Sequence, residues 1–141
     1  MRTETAERIA FLRNAYDSFI ETGILPRERY ADDFVWDMST FTGWPEKQVY
    51  LGHAGATEFL DTWRGSWDDW KLELTEVIDS GGDDIVAVCR QEGRAKDGGV
   101  LVEMTFAMLW TVRDGKFARQ RMYTTKEEAL PALGLSGAPP P

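Results

Sequence analysis

Residues 99–123 read GVLVEMTFAMLWTVRDGKFARQRMY, and no other stretch of the chain is as informative about its structure. Two long runs of β-type residues flank the pair Asp114-Gly115. An Asp-Gly pair in this setting predicts a two-residue hairpin turn, because a type I′ turn needs positive φ at both central residues. Arg113 then pairs with Lys116, and the register of both strands follows from that pair.

This register predicts which side chains share a face, because side chains alternate across a strand. The larger face pairs Val112 with Phe117, Trp110 with Arg119, Met108 with Arg121 and Phe106 with Tyr123. The smaller face carries Thr111, Leu109, Ala107 and Thr105 opposite Ala118, Gln120, Met122 and Thr124. Aromatic residues mixed with Arg are typical of a subunit interface. Small residues leave room either for a closely packed helix or for a ligand.

Length and composition indicate one ordinary globular domain. The chain has 141 residues, of which 43% are hydrophobic, and a formal net charge of −8. A charge of this sign argues against nucleic acid or an anionic membrane surface as a partner. The N-terminus lacks the apolar segment of a signal peptide, and no apolar run is long enough to span a membrane. We therefore expect a cytoplasmic protein.

Histidine and cysteine each occur once, as His53 and Cys89. Such a chain has no intrachain disulfide and no Cys-rich metal site. It also lacks the residues for nearly all Ser-His-Asp, Cys-His and His-cluster zinc chemistry. We therefore expect neither a metal site nor a cofactor.

Helical patterns come first along the chain and strand patterns follow. A helical stripe of Ile9, Leu12, Tyr16 and Phe19 predicts a first helix that ends near Gly23. A short second helix is expected over residues 25–30, and residues 67–70 are expected to form a loop or a short turn. The order predicts an α+β domain over residues 1–135, with about three helices against a curved antiparallel sheet of four to six strands. Residues 136–141 are expected to be a disordered tail.

Short motifs along nearly the whole chain resemble the nuclear-transport-factor-2-like (NTF2-like) superfamily, also called the cystatin-like cone. They are Tyr30-Ala31-Asp32-Asp33 followed by Val35-Trp36-Asp37, then Tyr50-Leu51-Gly52-His53-Ala54-Gly55 with Phe59, and Val112-Arg113-Asp114-Gly115-Lys116-Phe117 followed by Tyr123 and Glu127-Glu128-Ala129-Leu130. The last group is similar to the end of SnoaL-like, polyketide-cyclase-like members. The resemblance implies a cone whose concave sheet face carries the helices and whose outer face forms a homodimer.

Ketosteroid isomerase, a member of this superfamily, implies roles for single residues. Asp37 falls at the position of its general-base aspartate, and Tyr16 falls at its oxyanion-hole tyrosine. Ala107 stands where a second oxyanion donor, an aspartic acid, is expected, so that pair is broken. The same comparison puts Ala107, Leu109 and Gln120 inside the cone and leaves Trp110, Met108, Arg119 and Arg121 on the outer, dimer-forming face.

We therefore predict that Asp37 and Tyr16 open into one cavity, with Asp37 as the base and Tyr16 as the hydrogen-bond donor. A carboxylate in an apolar cone is desolvated, which raises its pKa and makes it a better base near neutral pH. The residues expected to contact a ligand are Phe19, Leu60, Trp63, Ala107, Leu109, Gln120 and Met122. The alternatives are that Asp37 caps a turn or pairs with an arginine, and that Tyr16 is an ordinary core residue.

Three functions remain open at this point. The first is a small SnoaL-like enzyme that performs acid–base isomerisation, cyclisation or hydration of an apolar small molecule. The second is a non-catalytic binder of such a molecule, and the third is a dimeric protein-interaction module. An open cavity beside a buried Asp37 favours the enzyme, an Asp37 held by arginine favours the binder, and a cone filled by its own side chains favours the interaction module.

Overall fold

The computed structural model describes residues 2–79, 82–96 and 98–133. Within these ranges the helices are α1 (Arg2–Thr22), α2 (Gly52–Gly65) and α3 (Lys126–Ala129), with 3-10 turns at Arg27–Arg29 and Leu130–Leu133. The strands are β1 (Tyr30–Asp37), β2 (Val49–Leu51), β3 (Trp67–Asp79), β4 (Asp84–Ala95), β5 (Leu101–Arg113) and β6 (Lys116–Tyr123). These elements confirm the predicted α+β fold with helices against a curved, mostly antiparallel sheet.

The sheet has the strand order β2-β1-β6-β5-β4-β3. β1 runs parallel to β6, and the other neighbours are antiparallel. We call the face that α1 and α2 cover the inner face, and the opposite face the outer face. The main core lies on the inner face, where Leu12 of α1 and Phe59 of α2 pack with Met108 and Trp110 of β5.

The hairpin turn between β5 and β6 forms as predicted. Asp114 and Gly115 have φ of 54° and 74°, and Arg113 pairs with Lys116. The next pair, Val112 with Phe117, also agrees with the predicted register. The Asp-Gly dipeptide therefore determines the turn and the first two pairs beyond it.

Beyond these pairs the predicted register is wrong, because β6 contains a bulge. Thr111 pairs with Arg119, which leaves Ala118 as one extra residue in β6. A bulge of this kind reverses the alternation of all later side chains on its strand. The observed pairs are Trp110 with Gln120, Leu109 with Arg121, Met108 with Met122, and Ala107 with Tyr123.

The predicted assignment of β5 side chains to the two faces is also wrong. Phe106, Met108 and Trp110 belong to the main core on the inner face. Ala107 and Leu109 lie on the outer face, in a second cluster with Val86, Val88, Tyr123 and Ala129 of α3. Large aromatic side chains stabilise the fold most where the helices α1 and α2 bury them. Small side chains on the outer face let the single-turn α3 approach closely.

Other differences from the predicted elements are local. Trp67 and Trp70 belong to strand β3 rather than to a loop, and the second helix is only the 3-10 turn at Arg27–Arg29. Gly23 ends α1 as predicted, with φ of 71° and its N–H 2.7 Å from the Phe19 carbonyl oxygen. The predicted tail at residues 136–141 lies outside the described residues, and the domain bounds stay a prediction. None of the helices in the described part of the chain has the length and hydropathy of a membrane span.

Candidate functional site

A cavity of about 60 Å³ lies on the inner face between the helices and the sheet. Its walls are almost entirely apolar, and most of them are aromatic: Ala15, Tyr16, Phe19, Tyr30, Trp36, Phe59, Leu60, Trp63, Trp70, Leu72, Phe106, Met108, Trp110, Phe117 and Met122. A single water needs about 10–15 Å³ of such volume and takes about 30 Å³ in the liquid. The cavity therefore has room for roughly four to six waters by this measure, and it is smaller than the engineered apolar cavity of about 150 Å³ that binds benzene.

The cavity opens where its lining residues are partly exposed. Phe19 of α1, Leu60 of α2, and Trp70 and Leu72 of β3 are half-buried, and the other lining residues are buried. We call these four residues the mouth. The opposite end, at β5 and β6, is closed by buried side chains, so the cavity opens between α1, α2 and β3.

Tyr16 supplies a polar atom to the closed end of the cavity. Its hydroxyl donates to Met108 Sδ at 2.9 Å and accepts from Trp110 Nε1 at 3.0 Å. Burial raises the pKa of Tyr16 well above its usual value, and the nearby Cys89 adds to that effect. The phenol is therefore neutral and donates a proton to a thioether, which is a weak acceptor. A ligand oxygen in reach would be a better acceptor for the same proton.

Gln91 fixes two of the indoles that line the cavity. Its Oε1 accepts from Trp63 Nε1 at 2.6 Å and from Trp70 Nε1 at 2.9 Å. These bonds tie α2 and β3 to the neighbouring strand β4, where Gln91 is fully buried. The wall made by Trp63 and Trp70 is therefore positioned by hydrogen bonds as well as by packing.

Gln120 lies on the inner face next to the cavity, although its side chain is not part of the lining. It is fully buried and pairs across the sheet with Trp36 on one side and Trp110 on the other, both of which line the cavity. Neither its Oε1 nor its Nε2 has a hydrogen-bond partner among the described residues. A buried amide without hydrogen-bond partners destabilises the folded state. A contribution to stability therefore does not explain the glutamine at position 120.

Asp37 lies on the outer face, away from the cavity. It pairs across the sheet with Arg121, and its Oδ2 is 3.3 Å from Arg119 Nη2 and 3.7 Å from Arg121 Nε. Its Oδ1 accepts from the Ser39 N–H at 2.8 Å. Burial acts to raise the pKa of Asp37, but the hydrogen bonds from Ser39 and Arg119 and the charge of Arg121 outweigh it and hold the pKa below its ordinary value. The expectation that Asp37 opens into the cavity is wrong.

The signal that fixes the direction of Asp37 is present in the sequence. Phe34 and Trp36 alternate on β1, and both are buried in the main core. Side chains of adjacent residues point to opposite faces, so an inward Trp36 requires an outward Asp37. Two nearby arginines on β6, brought to the outer face by the bulge at Ala118, then neutralise the carboxylate.

The described residues that line the cavity include no base that titrates near neutral pH. Burial raises the pKa of Tyr30, as it does that of Tyr16. Burial also raises the pKa of the Cys89 thiol, to about 12, against a smaller opposing effect of its hydrogen bond with Tyr16. His53 lies outside the lining, with its Nε2 2.9 Å from the Tyr30 carbonyl oxygen. The site presents hydrogen-bond donors and rings, and no proton acceptor of suitable strength.

The structure brings together some of the predicted ligand contacts and separates others. Tyr16, Phe19, Leu60, Trp63 and Met122 line the cavity. Ala107 and Leu109 lie in the outer-face cluster. The predicted ligand contacts omit the lining residues Trp36, Trp70, Met108 and Trp110, and the wrong choice of β5 face accounts for the last two. Across the described ranges, no group of three or more His, Cys, Asp or Glu side chains is arranged to hold a metal ion.

Comparison with known proteins agrees with this architecture. A family model described as a SnoaL-like domain matches residues 26–120. A search of the curated proteins finds no match. Among solved structures, TerC co-crystallised with polyporic acid is 27% identical, with 89% of this chain and 95% of that chain covered and a TM-score of 0.68.

Two further solved structures are similar in fold. An NTF2-like protein of unknown function from Burkholderia pseudomallei K96243 is 17% identical, with 89% and 95% of the two chains covered and a TM-score of 0.70. A putative SnoaL-like polyketide cyclase from Jannaschia sp. CCS1 is 21% identical, with 81% and 77% covered and a TM-score of 0.59. The predicted resemblance to the NTF2-like superfamily is confirmed.

Proposed function

The chain belongs to the SnoaL-like domain family, and from that premise we propose that it binds a small aromatic molecule in the inner-face cavity without acting as a general base. One observation carries the proposal: a ring-lined cavity in which the partners of the Tyr16 hydroxyl proton are sulfur atoms, Met108 Sδ and the thiol of Cys89, both weak acceptors. A ligand with a ring and one carbonyl oxygen would pack against the aromatic wall and offer Tyr16 a stronger acceptor. Both changes favour the bound state.

The position of Asp37 favours a binder over an acid–base enzyme. Isomerisation or cyclisation requires a group near the ligand that accepts a proton at neutral pH. Asp37, the predicted base, is held by Arg119 and Arg121 on the other face of the sheet. Tyr16 as a donor can polarise a carbonyl, but the cavity lining described above offers no acceptor for the proton. The enzyme therefore ranks second.

A relative supports a small organic ligand for this fold. TerC, the 27% identical structure, was co-crystallised with polyporic acid. The volume of the cavity, about 60 Å³, encloses only part of a ring, so a one-ring ligand would extend between the half-buried side chains of the mouth. An engineered apolar cavity that takes up benzene is larger, at about 150 Å³.

Nuclear magnetic resonance of the tryptophan indoles tests the proposal. Trp36, Trp63, Trp70 and Trp110 line the cavity, whereas Trp44 and Trp67 do not. On titration with acetophenone we expect saturable shifts of the four lining indole N–H signals and smaller shifts of Trp44 and Trp67. Absence of saturable shifts at the lining indoles, or shifts confined to Trp44 and Trp67, would contradict the proposal.

We also propose a homodimer through the outer sheet face, with contact residues that differ from those the sequence predicted. Trp110, its predicted anchor, is 2% exposed in the main core. The outer face instead presents Arg119 and Arg121 around Asp37. Light scattering coupled to size exclusion at micromolar concentration should give the mass of a dimer, and a strictly monomeric mass would contradict this part of the proposal.

A further inference from the structure

Arg64, in the last turn of α2, lies over the mouth of the cavity. Its guanidinium carbon is 5.1 Å from the centre of the Trp70 ring and 5.9 Å from that of Phe19. Both rings belong to the mouth, and they meet edge to face at 6.1 Å. Gly23 at the end of α1 leaves the space that the guanidinium fills, since a Cβ there would collide with Arg64 Nη1. The guanidinium of Arg64 is therefore positioned by α1, α2 and β3 together.

The N–H donors of Arg64 are unused. Several other arginines of this acidic chain have carboxylate partners, as Arg90 has Glu92 and Arg119 has Asp37. In residues 2–79, 82–96 and 98–133, no carboxylate lies within ion-pair distance of Arg64 and no hydrogen bond engages its side chain. A guanidinium that contacts rings through its flat face keeps the donors in its plane available. Arg64 is exposed, so these donors reach solvent at the mouth.

We infer that the ligand is an aromatic carboxylate whose ring occupies the cavity and whose carboxylate binds Arg64. This inference rests on the proposed function. A guanidinium binds a carboxylate through two parallel N–H···O bonds, and the contacts to Phe19 and Trp70 lower the cost of ordering the long arginine side chain. The net charge of −8 repels anions from the molecule as a whole. A cation held at the mouth offsets that repulsion where the ligand enters.

A pair of probes of nearly the same shape tests the inference. 4-Acetylbenzoate carries the negative charge, and 4-acetylbenzamide is its neutral counterpart. Their dissociation constants are measured for the wild-type protein, for Arg64→Gln and for Arg113→Gln, a control with the same charge change. Arg113 is exposed at the hairpin turn and lies outside the cavity lining. We expect the wild type to prefer the benzoate, and Arg64→Gln to weaken benzoate binding about fivefold, near the upper end for exposed ion pairs.

Four further results are expected. Benzamide binding should change less than twofold in Arg64→Gln, and Arg113→Gln should keep the wild-type preference. Raising the salt concentration should weaken benzoate binding to the wild type and leave the benzamide nearly unaffected. Arg64→Lys keeps the charge without the planar fork and should give an intermediate benzoate affinity.

The possible outcomes separate the two proposals. If both probes bind equally in the wild type and Arg64→Gln changes neither, the carboxylate inference is wrong while the binding function stands. An equal loss of both probes in Arg64→Gln assigns Arg64 to the wall of the site and also overturns the inference. If neither probe binds the wild type, the proposed function and the inference resting on it both fail.

Discussion

At the scale of single residues, Gln120 is where stability and function conflict. Its amide is fully buried between Trp36 and Trp110, and neither amide atom has a hydrogen-bond partner among the described residues. Removing a buried polar group without partners should stabilise the free protein by about 1–3 kcal/mol. We predict that Gln120→Met, which keeps the side-chain length, raises the thermal unfolding temperature.

The same substitution should not improve binding. If the amide serves a polar ligand atom or a water near the cavity, Gln120→Met lowers the affinity for acetophenone while the protein becomes more stable. Thermal unfolding followed by circular dichroism and the indole titration measure the two effects. A lower unfolding temperature in Gln120→Met would show that the amide has partners in solution and would contradict this account of Gln120.

Asp37 gives a prediction on stability and pH. The Asp37 pKa is lowered in the folded state, so its ion pairs stabilise the fold above the unfolded-state pKa of about 4 and lose that contribution as the pH falls through the folded value. Asp37→Asn should lower the free energy of unfolding by about 1–2 kcal/mol at pH 7. The expected loss is smaller than for a fully buried ion pair because Arg119 is 43% exposed. The difference from the wild type should shrink toward pH 3.

The matched control for this prediction lies on the same strand. Asp33→Asn removes an exposed carboxylate of β1 that has no ion pair among the described residues, and it should change stability little at either pH. Both variants should bind acetophenone with wild-type affinity. A loss of affinity for acetophenone in Asp37→Asn alone, with stability unchanged, would indicate that Asp37 contacts the ligand and would contradict this account.

At the scale of elements, the extra residue Ala118 determines which β6 side chains face the cavity. Deleting Ala118 would turn Arg119 and Arg121 toward the core and Gln120 and Met122 away from it. Burying two arginines without partners costs several kcal/mol each. We therefore predict that the Ala118 deletion abolishes cooperative thermal unfolding, whereas Ala118→Gly costs about 1 kcal/mol or less. A deletion variant that melts like the wild type would contradict the assigned bulge.

The sequence predicts elements better than it predicts faces. The Asp114-Gly115 turn, the end of α1 at Gly23 and the α+β order all follow from local chemistry that acts over a few residues. The bulge at Ala118 has no comparable local signal, because an alanine is acceptable in a regular strand as well as in a bulge. The wrong choice of β5 face placed Trp110 on the outer face instead of the cavity wall, and the extra residue in β6 gave Trp110 the partner Gln120 instead of Arg119.

At the scale of the whole molecule, the cavity connects most elements of the chain. Its lining comes from α1, β1, α2, β3, β5 and β6. A ligand that binds only the folded state at ten times its dissociation constant adds about 1.4 kcal/mol to the free energy of unfolding. We predict that acetophenone raises the unfolding temperature by roughly 3–5 °C for a domain of this size. An unchanged unfolding temperature at that concentration would contradict binding to the folded cavity.

The measurement that tests the central claim most directly compares acetophenone with ethylbenzene in the wild type and in Tyr16→Phe. The two ligands have nearly the same shape and differ by the carbonyl oxygen that Tyr16 is proposed to bind in place of Met108 Sδ. Loss of one hydrogen bond should weaken acetophenone binding in Tyr16→Phe by about two- to tenfold, with ethylbenzene changed less than twofold. If both affinities fall by the same factor, or the ratio of affinities is the same in both proteins, Tyr16 does not bind the ligand oxygen and the account of the site is wrong.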